Sequence, residues 1–255
     1  MTLLLFKLLT TPTLILLATL VSRRWGQAMG GWLVGLPLTS GPIAVFLAVE
    51  HGPAFSQQAA AGSLEGTAAQ ACFAVAYARL AARSGWPICL LGATAAFLAS
   101  GLLLSRLGLS APALGAIAIG CLVVGLVWLG RPERSVTIAV TPKWDLPVRM
   151  TVATLLVLLV TSVAYLIGPD LSGLAATFPL FAIVLAVFAQ RHQGAHAAQS
   201  VMRGLLLGLF GFVGFFAAVS AVVTRTDLVS AFCIALAVNL LIQGASFLAL
   251  RERPA

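Results

Sequence analysis

Leu33-Val-Gly-Leu-Pro-Leu-Thr-Ser-Gly-Pro-Ile-Ala-Val-Phe-Leu-Ala-Val49 has an echo 138 positions later, Leu171-Ser-Gly-Leu-Ala-Ala-Thr-Phe-Pro-Leu-Phe-Ala-Ile-Val-Leu-Ala-Val187. Sliding residues 33–66 onto 171–204 without a gap gives 11 identities in 34 positions, among them Gly35, Leu36, Thr39, Ala44 and Gly66. A composition rich in Ala and Leu raises any such count, so the echo points to a duplicated unit without proving one. Both copies are apolar runs interrupted by proline, and most of the chain around them is made of further apolar runs.

Of the 255 residues, 60% are hydrophobic and 9% charged, with a mean hydropathy of +1.06. A soluble core cannot hide that much apolar surface, so the chain is expected in a lipid bilayer. The net charge of +8 and pI of 10.4 would suggest nucleic acid in a soluble protein. Here the basic residues sit in short loops, where they set orientation and meet anionic headgroups, and no nucleic-acid partner is expected. Cys72, Cys89, Cys121 and Cys233 fall inside apolar runs without paired spacing. They read as small packing residues, with no disulfide framework, metal site or cofactor implied. The first run, Thr2 to Val21, carries Lys7 and has no small-residue cleavage site after it, so it reads as a retained helix.

Nine segments approach the roughly 20 apolar residues a span needs: 3–21, 31–49, 59–80, 86–104, 111–129, 148–167, 171–189, 198–222 and 228–250. All are expected to be helices, since lipid cannot satisfy an open strand edge. Connections such as Gly168-Pro169-Asp170 and Thr224-Arg225-Thr226-Asp227 are short, and Gly130 to Pro147 is the one longer polar stretch. Twelve of the 15 Lys and Arg follow odd-numbered spans or lie in the C-terminal tail; Lys7, Arg106 and Arg225 lie on the other side. The positive-inside rule then puts the N-terminus outside and the C-terminus in the cytoplasm. Trp25, Trp32, Trp86, Trp128 and Trp144 all fall at the cytoplasmic boundary, as interfacial anchors do.

The echo sits in spans 2 and 7, so each half is a four-span unit and span 5 is an unpaired connector. The expected fold is therefore an all-α polytopic membrane protein. Residues 1–107 form a first four-span repeat, 108–147 the connecting helix and cytoplasmic loop, and 148–255 a second repeat. An even-numbered unit followed by one extra crossing re-enters the membrane upside down, the inverted-topology repeat of many secondary transporters. The competing reading is a re-entrant span 5 with parallel repeats.

Gly173-Leu174, Phe178-Pro179, Phe181-Ala182, Gly194 and Ala197 resemble the signature stretch of the GlpM-type small bacterial inner-membrane proteins, which are single four-span units. The first half keeps Gly35-Leu36-Pro37 and Ala44 but has Ser40-Gly41 where that pattern has Phe-Pro. The resemblance implies a fused pair of such units in a bacterial inner membrane. It carries no assigned activity.

Pro37 and Pro42 predict a break in span 2 around Thr39 and Ser40, with Pro179 beside Thr177 as the counterpart in span 7. Interrupted helices in matching positions mark transporter binding sites, and a packing kink is the alternative. Gln70 in span 3 and Asn239 and Gln243 in span 9 are deep polar residues that would either line a substrate path or bond between helices. Glu65 lies inside span 3, where a carboxylate needs a reason: a proton- or cation-coupling group, or a vestibule Glu neutralised by Arg106. The 138-residue register places Arg203 opposite it, as a gate or as a side chain reaching the headgroups. Glu50-His51, at the outer end of span 2, form a candidate pH-sensitive gate or a wet loop end. His192 and His196 have the spacing of a zinc helix, but Gly194 between them favours a solvated loop. Gly204, Gly208, Gly211 and Gly214 form a close-packing stripe, with Gly62 and Gly66 a shorter one.

These features point to a secondary transporter or permease for a small solute, with proton coupling one option and assembly into a homo-oligomer left open. It would bind substrate near the midplane through Thr39, Ser40, Thr177, Gln70, Asn239 and Gln243, with Glu65, Arg203, Glu50 and His51 in coupling or gating. A non-catalytic assembly or export subunit is the alternative. An enzyme acting on a lipid-linked substrate is disfavoured, because no nucleophile–base pair, carboxylate cluster or metal-ligand set stands out.

Overall fold

The computed structural model describes residues 2–38, 40–130, 144–166 and 177–251. Every regular element among them is an α-helix. In chain order these are α1 (Thr2–Trp25), α2 (Gln27–Val34), α3 (Ser40–His51), α4 (Pro53–Ala81), α5 (Trp86–Arg106), α6 (Ala111–Leu129), α7 (Asp145–Leu166), α8 (Leu180–Gln193), α9 (Ala195–Val222) and α10 (Leu228–Arg251).

Among the described residues four helices, α5, α6, α9 and most of α10, are long and apolar enough to cross a membrane. The other expected spans fall on interrupted helices, on helices diluted by polar residues, or partly on residues outside the described set. Leu91, Leu103, Val127 and Leu241 point outward from α5, α6 and α10 at 64–76% exposure. Outward-facing apolar rows of this kind fit an integral membrane protein.

α4 and α9 form the central pair. The apolar window of α9 is 72% buried against 22% for α5 and α10, so α9 is a core element and those two are peripheral. The pair runs antiparallel: Gln57, at the start of α4, donates to the Ser220 carbonyl at the end of α9 at 2.7 Å. At the other end Gln199 of α9 donates to the Ala78 carbonyl of α4 at 3.1 Å. α5 and α6 pack on α4, α10 and α2 on α9, and α1 lies against α7.

Three corners turn on one glycine each. Gly26, Gly52 and Gly194 have φ of 97°, 88° and 85° with extended ψ, a region that side-chain-bearing residues avoid. They let α2 fold back on α1, α4 on α3 and α9 on α8 within a single residue.

The sequence expectations meet these elements unevenly. The break in span 2 is present, between α2 and α3, and Thr39 within it lies outside the described residues. In span 7 helix α8 begins only after Pro179, while Leu171 to Ala176, including Gly173 and Leu174, lie outside the described residues. Gly168-Pro169-Asp170 and residues 131–143 of the long connection lie outside them as well. Trp25, Trp86, Trp128 and Trp144 are exposed, as boundary anchors would be. Trp32 departs from them: its indole N–H turns inward to Ser246 Oγ at 2.9 Å, because α2 is pinned against α9 and α10.

Candidate functional site

The break between α2 and α3 follows from its residues. Pro37 and Pro42 have no N–H to donate, and the chain between them is satisfied locally, by Leu38 N to Leu36 O at 2.8 Å and Gly41 N to Pro37 O at 2.8 Å. What fixes the break in place is backbone contact between α2 and α9. A Cβ on Gly204 would strike the Ala28 carbonyl, one on Gly208 the Trp32 carbonyl, and one on Gly31 the Val201 carbonyl. The glycine stripe therefore packs as small residues allow, backbone against backbone. Gly211 and Gly214 continue it against α10, where a Cβ would meet Asn239, Gln243 and Ile242. Gly62 does not share in this, having nothing within 4 Å of a Cβ.

A polar chain crosses this packing. Trp32 Nε1 donates to Ser246 Oγ, Ser246 Oγ to Gln243 Oε1 at 2.9 Å, and Gln243 Nε2 to the Gly208 carbonyl at 2.7 Å. Gln243, placed at the site by sequence, is thus an interhelical tie. Asn239, one turn earlier on α10 and 3% exposed, has no partner for its Oδ1. It is the polar side chain on the wall of a cavity of about 490 Å³ that Leu36, Pro37, Gly41 and Phe215 share with α10. Ser40 begins α3 beside this cavity and is half-buried.

At the second interruption Gln70 Nε2 donates to the Thr177 carbonyl at 2.6 Å, and the Thr177 side chain seats on Gly66. Phe178 lies edge-on against Phe97 at 5.3 Å and Phe73 at 6.2 Å. The sequence-named polar residues therefore divide into two clusters, Gln70 with Thr177 and Gln243 with Asn239, on opposite members of the central pair.

A larger cleft, about 770 Å³, opens where α4 and α6 begin and α9 ends. Gln57, Gln58, Ser220 and Arg225 supply its polar groups, and Ala61, Gly115, Ala116 and Ala217 keep it wide. Glu65 is half-buried on α4, two turns past Gln58 on the same helical face, and has no partner among the described residues; Arg106 does not reach it. At the far end of α6 there is closure instead. Arg203 donates to the Leu126 carbonyl at 3.3 Å and to the Gly130 carbonyl, and Arg79 to the Trp128 carbonyl at 2.9 Å while covering the Trp128 ring. These cations seal the carbonyl end of a helix, where positive charge is favoured. Glu50 and His51 end α3 exposed, with His51 stacked on Phe55 at 4.8 Å.

Sequence reasoning missed a buried charge cluster. Asp145, fully buried at the start of α7, lies 2.8 Å from Arg23 of α1, 2.9 Å from Arg149 Nε and 3.2 Å from His192 Nε2 of α8. Arg149 is 2% exposed and stacks its guanidinium 4.7 Å over the Phe188 ring. His192 is thus an ion-pair partner inside the protein rather than part of a solvated loop, and the Gly194 corner puts His196 on a different helix. The signal available was the Asp145/Arg149 spacing of four; the basic residues had been counted only for orientation. All four cysteines are free, and the Cys72 and Cys121 side chains meet across α4 and α6.

No protein-family model, no curated protein and no solved structure matches the chain.

Proposed function

We propose that this chain is a secondary transporter or permease for a small solute, made of two GlpM-like four-helix halves of inverted topology joined by α6, in a bacterial cytoplasmic membrane. The support is a recurring spacing. Gly52 and Gly194, Pro53 and Ala195 that open α4 and α9, and Trp86 and Leu228 that open α5 and α10, are each 142 residues apart. This register is one helical turn from the 138-residue echo. It superimposes Pro37 on Pro179, Gly62 on Gly204 and Gly66 on Gly208. The donors Gln57 and Gln199 are 142 apart, and so are their acceptors Ala78 and Ser220. Equivalent helices that cross antiparallel with reciprocal bonds imply a two-fold axis perpendicular to them, which in a bilayer lies in the membrane plane.

One observation carries the transport reading. The beginning of α6 stands away from α4 and α9 around an open cleft, while its end is held down by Arg203 and Arg79. Arg203 falls on Ala61 of the cleft in the 142-residue register, so equivalent positions are open on one side and sealed on the other. Solute enters the cleft past Gln58 and Arg225, and exchange of the open and sealed ends of α6 carries it across. Glu65, unpaired beyond Gln58, is the coupling group if flux is proton-driven. The register pairs Glu65 with Leu207, so a charge-matched Glu65/Arg203 gate has no symmetry basis.

The test is a lock at the sealed end. Arg203→Cys with Leu126→Cys, in a background without native cysteines, is assayed in vesicles by counterflow of labelled amino acids, carboxylates, sugars and cations. Oxidation is expected to stop flux of the transported class and reduction to restore it. Flux equal in both states overturns the α6 mechanism. No flux in any class from the unlocked protein, with a stable co-purifying partner, supports the assembly-subunit reading instead.

A further inference from the structure

The two helix breaks are filled differently, and the difference leaves a site in one of them. At the 142-residue spacing Leu36, Gly41 and Asn239 correspond to Phe178, Ile183 and Phe97. In the second half the Phe178 ring occupies the space, packed edge-on against Phe97 and Phe73. In the first half smaller side chains stand at those positions, and the cavity of about 490 Å³ remains. That volume falls within the roughly 300–1,000 Å³ of small-molecule pockets. Its walls are apolar apart from Asn239, and Val45, Phe46 and Leu236 form a rim 39–51% exposed on the outward, lipid-facing side.

Asn239 gives the cavity its chemistry. A buried carboxamide ordinarily fills its bonds, and here Oδ1 lies against Gly211 with no partner. Gln243, one turn on, is committed to the Gly208 carbonyl and to Ser246. A carboxamide offers a donor and an acceptor, and a hydroxyl can answer either. We propose that this cavity binds a bilayer-derived molecule with a single hydrocarbon chain and a hydroxyl group. The chain lies under Phe46 and Leu236, and the hydroxyl bonds to Asn239. The inference uses the spacing of the two halves and stands apart from the transport of a solute through the α6 cleft.

The test is photolabelling of the full chain in phosphatidylcholine vesicles with a diazirine-bearing hexadecanol and with its methyl ether. The alcohol is expected to label residues 36–46 and 232–239 above the outer face of α5. It should exceed the ether about fivefold, the worth of one net hydrogen bond. Leu36→Phe, which copies the second half's filling, should reduce pocket labelling to the α5 level. Asn239→Leu should keep the labelling and bring the alcohol-to-ether ratio to about one. Pocket labelling no higher than on α5, or a ratio unchanged by Asn239→Leu, overturns the proposal.

Discussion

Gln57 and Gln199, 142 residues apart, make the same bond at opposite ends of one helix pair, each reaching across to a carbonyl of the helix that carries the other. Their acceptors, Ser220 and Ala78, are also 142 residues apart, so the two bonds are one interaction written twice. A parallel arrangement of equivalent helices would not bring the start of one to the end of the other at both termini. Interhelical bonds in membranes average only about 0.6 kcal/mol, so their value here is in registering α4 against α9 more than in stability.

The α2–α9 contact gives the sharpest packing prediction. Gly204→Ala and Gly208→Ala each drive a methyl into a backbone carbonyl that cannot rotate away. Each is expected to destabilise the protein by about 1–3 kcal/mol. Gly62→Ala, with open space around it, should be neutral or stabilise by up to about 1 kcal/mol. Unfolding in mixed micelles, monitored by tryptophan fluorescence, separates the two outcomes.

The cluster around Asp145 predicts strong non-additivity. Asp145→Asn leaves Arg149 buried without its carboxylate and should cost about 3–5 kcal/mol. Combining Asp145→Leu with Arg149→Leu removes both buried charges and should cost less than Asp145→Asn alone. The same unfolding assay decides it: a double variant as damaged as the sum of its parts contradicts the coupling.

The sealed end of α6 rests on charge-assisted bonds, typically about 1.5–3 kcal/mol each. Arg203→Ala should therefore raise amide exchange in the last turn of α6 by roughly tenfold or more, with the first turn unchanged. Equal protection in the variant means that α6 is held by packing alone.

Asp227 supplies a pH prediction. Its Oδ2 accepts the Ser230 backbone N–H at 2.9 Å, capping α10, and this bonding holds its carboxyl below the usual carboxylate range. A lowered folded value means the cap is fully stabilising above the unfolded value and is lost as pH falls through the folded one. Protection of the Ser230 amide should accordingly drop in acid, and Asp227→Ala should abolish that pH dependence.

Hydropathy and the two proline-bearing echoes made the helical class and both interruptions legible, because lipid leaves the backbone few options. The register of the halves was not legible. Ala and Leu are interchangeable on apolar faces, and a shift of four residues preserves every helical face, so only Gly52, Gly194 and the helix starts resolve it. Of the site residues, Asn239 was placed on a cavity wall. Gln70 and Gln243 turned out to tie carbonyls that glycine packing and proline breaks leave in reach, which spacing alone cannot distinguish from lining a path. The Asp145 cluster joins α1, α7 and α8 across more than 120 residues, and no local pattern encodes such a meeting.

The most direct measurement places the two mates His51 and Gln193, on either side of the bilayer, by single-cysteine labelling. His51→Cys and Gln193→Cys are introduced separately in a chain lacking its native cysteines and exposed to an impermeant thiol reagent in intact cells. Labelling of position 51 at once, and of position 193 only after the membrane is permeabilised, is the result the inverted architecture predicts. Labelling of both positions in intact cells, or of neither, would contradict it.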